Sequence, residues 1–186
     1  MGEKKYSIQK IIYIGVMAAI VCVITFFRFP LLGSKVHFAN AMCLLSGLLL
    51  GGVPGGIAAG LGSFLYDALF GGYDIVQCLI TFVSKFAMAF VCAKIANVKI
   101  DREAKPVRIV VASIIGALSY VALYMLKTFI YQKFVYAFPL DAVGATMLSK
   151  LPASLINAVV AMIAAPIFYG ALRPAMKQIT ARMEAK

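Results

Sequence analysis

Six apolar stretches of about 16 to 25 residues, almost free of charge, constrain this chain more than any other feature. Each is about the length a helix needs to cross a hydrocarbon core of roughly 30 Å. They run from Ile8 to Phe27, Val36 to Gly51, Pro54 to Phe70, Val76 to Ala96, Val107 to Tyr131 and Leu151 to Leu172. With 63% of its residues apolar and 13% charged, the 186-residue chain is too greasy for a water-soluble fold, where roughly 45–50% and about 25% are usual. The expectation is an all-α membrane protein, a compact bundle of six transmembrane helices forming one domain over residues 1–186.

Charge placement sets the orientation. Of the 18 basic residues, twelve fall on one side of the six-span arrangement: Lys4, Lys5, Lys10, Lys94, Lys99, Arg102, Lys105, Arg108, Arg173, Lys177, Arg182 and Lys186. Arg28, Lys35, Lys133 and Lys150 fall on the other, and Lys85 and Lys127 lie within spans. The positive-inside rule then places both termini in the cytoplasm. The net charge of +11 reads as a topology signal and not as a nucleic-acid surface. The first apolar run is too long for a signal peptide and no small-x-small site follows it, so it is expected to remain as the first span.

Polar groups inside spans are expensive and therefore informative. Asn40, Tyr66, Asp67, Gln77, Thr81, Tyr124, Lys127, Thr128, Ser154 and Asn157 all map to the outer part of their spans, with Lys85 near the middle of the fourth. Gln77, Thr81 and Lys85 are four apart; Tyr120, Tyr124, Lys127, Thr128 and Tyr131 form one helical stripe. These stripes predict a polar, aromatic-walled pocket in the outer half of the bundle. Its candidate substrate-binding residues are Asn40, Tyr66, Asp67, Gln77, Thr81, Lys85, Tyr124, Lys127 and Asn157. Asp67 and Lys85 either contact substrate or pair with each other. Tyr73 and Tyr131 read as interfacial belt residues, and His37 as an outer-loop residue.

Several chemistries are disfavoured. The single His has no companion ligands for a metal, and Cys22, Cys43, Cys78 and Cys92 lack ligand spacing and read as buried, reduced fillers. No catalytic constellation and no phosphate-binding Gly-x-x-x-x-Gly-Lys-Ser/Thr motif occurs, so neither a catalytic residue nor a bound cofactor is expected. Binding or transport suits the residues better, with energy from ion coupling or from another subunit. The outer connections are FRFPLLGSK, a short GGYD turn, and a longer loop from Gln132 to Lys150.

Nine of the fifteen glycines crowd between Gly47 and Gly72. Gly52, Gly56 and Gly60 repeat every four residues, as do Gly55, Ala59 and Ser63, which gives the third span two smooth rows for close helix packing or sliding.

GLLLGGVPGGIAAGLGSFLYDALFG, SKFAMAF in the fourth span and KLPASLINAVVAMIAAPIFYGALRP closing the sixth, in this order, make nearly the whole chain resemble the substrate-binding S component of an energy-coupling factor (ECF) vitamin transporter. The resemblance implies a multi-pass protein of a bacterial-type cell membrane. Such a protein captures a water-soluble vitamin outside and works with a coupling transmembrane subunit and two cytoplasmic ATPase subunits. It also implies a small-residue docking motif in the first helix, for which Gly15, Ala18, Ala19 and Cys22 are the candidates. Within that family, tyrosines beside Lys127, Asn157 and Gln77 suit vitamin B6 or a pyrimidine precursor, then riboflavin, with pantothenate a further option through a lysine–carboxylate pair. The alternative is a stand-alone ion-coupled transporter or channel using Asp67 and Lys85 as relay groups.

Overall fold

The computed structural model describes residues 8–31, 34–98 and 104–184. Lys4, Lys5, Lys99, Arg102 and Lys186, which entered the charge argument, lie outside these residues, as do the side chains of Lys177 and Arg182.

Six helices form: α1 (Ile8–Phe26), α2 (Ala39–Leu50), α3 (Gly52–Tyr66), α4 (Ile75–Ala96), α5 (Pro106–Ile130) and α6 (Leu140–Glu184). Five are long and apolar enough to cross a membrane, counting short π-helical turns that prolong α3 over Asp67–Gly71 and α5 over Tyr131–Val135. The exception is α2, whose 12 residues reach about 18 Å at 1.5 Å per residue. The expected second span from Val36 is therefore corrected. Val36 and His37 belong to an antiparallel hairpin of β1 (Arg28–Leu31) and β2 (Ser34–His37), an element the sequence reading took for loop.

Every residue of α2 is buried, because α1, α3, α4, α5 and α6 all pack around it. A helix enclosed by protein has no need to match the bilayer, and its brevity leaves room at its N-terminal end, beneath the hairpin. At the other end Gly51 turns the chain into α3 with φ of 84°, a conformation that glycine adopts without steric penalty.

The small rows of α3 hold its neighbours close. A Cβ at Gly52, Gly56 or Gly60 would meet the rings of Phe90, Phe86 or Phe82 on α4. Those three rings stack at 5.7 and 6.3 Å, so a phenylalanine ladder lies on a glycine ladder. Gly55 lies against the backbone of Ser46 and Gly47 on α2, and Gly62 against Ala18 of α1. The Ser46 hydroxyl donates across this seam to the Gly55 carbonyl at 2.8 Å.

The connection expected from Gln132 to Lys150 is also corrected. The chain leaves the π turn at Val135 and enters α6 at Leu140, so most of it is helix. Asp141 stands in the first turn, where a carboxylate suits the helix dipole.

Candidate functional site

Above the N-terminus of α2 lies a cavity of about 300 Å³, at the small end of ligand pockets. Tyr66, Asp67, Gln77, Thr81, Lys85, Tyr124, Lys127 and Asn157 all line it, brought together from α3, α4, α5 and α6. Asn40 does not line it; it is buried behind Lys85 and accepts a hydrogen bond from that ammonium through Oδ1.

Lys85 is 4% exposed, and its Nζ sits 3.6 Å from the centre of the Tyr120 ring. An amide oxygen and an aromatic face together offset the loss of water around a buried ammonium. Of the two alternatives for Asp67 and Lys85, the direct ion pair is not made among the described residues. Asp67 lies beside Thr81, within electrostatic range of Lys85, Lys127 and Arg28. It begins the π turn that ends α3, a distortion common at functional sites.

Asn157 is bonded to the hairpin. Its Nδ2 donates to the Lys35 carbonyl at 2.7 Å and its Oδ1 accepts from the His37 backbone N–H at 2.8 Å. With both ends of the amide engaged, Asn157 ties β2 to α6 across the cavity roof. Gln77 is committed as well: its Nε2 donates to Asp74 at 2.7 Å, while Asp74 caps α4 by accepting from the Gln77 N–H. These hydrogen bonds hold the Asp74 carboxyl below its ordinary range.

Arg28, Lys35, His37, Tyr73, Tyr131, Gln132 and Lys150 line the cavity too and were not among the candidates. The hairpin register pairs Arg28 with His37 and Phe29 with Val36, so alternate residues take opposite faces. Arg28, Lys35 and His37 reach the cavity while Phe29 is 67% exposed. The alternation in Arg-Phe-Pro-Leu and Ser-Lys-Val-His was the signal that could have located this roof. Tyr131 and Gln132 arrive through the π turn ending α5; the helical stripe includes Tyr131, whereas Gln132 enters only because the turn widens the helix. Lys127 lies 5.9 Å from the ring centres of both Tyr73 and Tyr131, so the two supposed belt residues turn toward the cavity.

Two buried acceptors in this lining have no partner among the described residues: His37 Nδ1 and Gln132 Oε1. Burial and the nearby Lys85, Arg28 and Lys35 push the His37 imidazole down to about 3, so it is neutral at physiological pH. Tyr120 and Tyr124 stack at 6.2 Å along one wall, and Arg28 covers Tyr66 at 5.0 Å on another. Such a space suits a flat polar molecule: rings for its faces, amides, hydroxyls and ammonium groups for its edges.

The first-helix motif divides. Ala18 is 2% exposed and packs on Gly62, so it belongs to the bundle interior and not to a docking face. Gly15 and Ala19 face outward and Cys22 is half-buried.

The family model for the S component of an ECF-type riboflavin transporter matches residues 5–174. A solved structure of the S component of a bacterial ECF transporter superposes with a TM-score of 0.66, covering 91% of this chain and 98% of its own, at 21% identity. At that identity the likeness is one of fold. No curated protein matches the sequence.

Proposed function

The chain belongs to the family of ECF-type riboflavin transporter S components, and from that premise we propose that its cavity captures a water-soluble vitamin or vitamin precursor. Capture occurs from the outer side of the membrane, with both termini in the cytoplasm, and release inward follows association with a coupling subunit and two ATPase subunits. The observation that carries the reading is the meeting of polar and aromatic side chains from five helices and a hairpin in one cavity within an otherwise apolar bundle. Polar groups so placed in a membrane protein are retained for function.

A cavity of about 300 Å³ favours a single-ring heteroaromatic over a larger conjugated system carrying a sugar-alcohol chain. Vitamin B6 compounds and pyrimidine precursors therefore come first, with riboflavin, the namesake of the family, next. The ring stacks on Tyr120 or Tyr124, and its polar edge meets Lys85, His37 Nδ1 and Gln132. Mass spectrometry of small molecules released from the purified protein, followed by titration with a vitamin panel in the absence of ATP, tests this. Tight binding of one compound is expected; a panel that gives no binding overturns the reading.

A further inference from the structure

The cavity is electrically one-sided, which capture of a neutral vitamin does not require. Arg28, Lys35, Lys127 and Lys150 line it from the hairpin, α5 and α6, against a single carboxylate in the lining, Asp67. Lys85 adds a fifth basic group at depth, but the imbalance stands without it. Among the described residues none of the five makes an ion pair. Like charges lining one cavity repel one another, and an anion relieves that repulsion.

Two further features point the same way. The N-terminus of α2 opens on the cavity at Ala39, and no side chain caps its first turn, so the free amides and the helix dipole add positive potential. His37, with its buried and unpartnered Nδ1, is kept neutral first by burial and then by Lys85, Arg28 and Lys35, all of which lie close enough to act on the cavity roof.

We propose that the cargo is an anion: a heteroaromatic ring bearing a phosphate or carboxylate, the ring against Tyr66, Tyr120 and Tyr124 and the anionic group among Arg28, Lys35, Lys127 and Lys150. This rests on the vitamin-capture reading of the same cavity. Lys35 and Lys127 reach the cavity from different elements, β2 and α5.

The test compares matched pairs on the purified full chain in phosphatidylcholine nanodiscs: pyridoxal 5′-phosphate with pyridoxal, flavin mononucleotide with riboflavin, and pantothenate with pantothenol. The charged member of one pair is expected to bind about tenfold or more tightly than its neutral partner. That advantage shrinks as salt rises, and in Lys35→Gln and in Lys127→Gln affinity for the charged member falls by a larger factor than affinity for its neutral partner, so the ratio between them drops. Melting temperatures of both variants confirm that they fold; Lys35→Gln, on an exposed strand residue, serves if Lys127→Gln does not. Equal or tighter binding of the neutral member overturns the anion assignment and leaves vitamin capture standing. Loss of the charged advantage on adding phosphatidylglycerol assigns the cations to lipid headgroups and overturns it too. No binding by any compound overturns both readings together.

Discussion

Lys85 is held in the bundle by one amide oxygen and one aromatic face. Removing either support leaves a buried ammonium with half its compensation, so residues behind the cavity matter to it as much as residues within it. Asn40→Ala should therefore lower stability by about 1–3 kcal/mol and weaken vitamin binding, although Asn40 does not touch the cavity. Thermal melts and equilibrium titration of the variant check both effects. His37 makes a different prediction. Its imidazole falls from an ordinary 6.5 to about 3 in the fold, so the unfolded chain binds the proton more readily. The stabilisation from keeping it neutral is fully present above pH 6.5 and erodes as the pH falls toward 3; by pH 5 the loss reaches about 2 kcal/mol. Melting temperatures of the wild type and of His37→Gln at pH 7.5 and 5 measure it, and the variant is expected to lose part of the acid-side decline.

At the scale of elements, the glycine rows of α3 were legible because a four-residue repeat of small residues has one physical use in a membrane, the close approach of another helix. Their partner was also in the sequence, since Phe82, Phe86 and Phe90 repeat at the same interval on α4. Gly56→Leu should overpack this seam and destabilise the bundle by about 1–3 kcal/mol or more. Phe86→Ala in the same chain should restore part of the loss, and a double-mutant cycle on thermal stability reads the coupling. The hairpin was harder to see: its two strands are four residues each, and apolar Val36 and Phe38 merge visually into the run that follows. For that reason the sequence offered Asn157 only as a substrate ligand, whereas its amide also holds the β2 backbone. This holding role adds an expectation. Asn157→Ala should loosen the roof, raising the vitamin dissociation rate several-fold with a smaller effect on association, and should increase the mobility of a spin label at Phe29. A direct ligand contact would leave the label unmoved.

For the whole molecule, the central fact is a short helix wrapped by five longer ones among the described residues, which leaves a cavity at its N-terminal end enclosed by protein. Composition and span length announced a membrane bundle, but they treat every apolar run alike, so α2 passed for a spanning helix when burial, not lipid, explains its character. The same blindness to facing affected α1: a small-residue spacing says that something packs closely, not on which side. Ala18 meets Gly62 within the bundle, whereas Gly15 and Ala19 lie one turn apart on the outer face, with open space at Gly15 where a side chain would stand. If that face docks on a coupling subunit, the two alanines must fail differently. Ala18→Trp should prevent folding, because the buried Ala18 position has no room for a large ring. Ala19→Trp should fold with its normal melting temperature and bind vitamin with unchanged affinity, yet lose uptake in cells supplying the ECF module and fail to co-purify with it. Preserved uptake by Ala19→Trp would remove this face of α1 from the coupling mechanism while leaving the cavity and its cargo untouched, because binding and docking occupy separate surfaces of the same bundle.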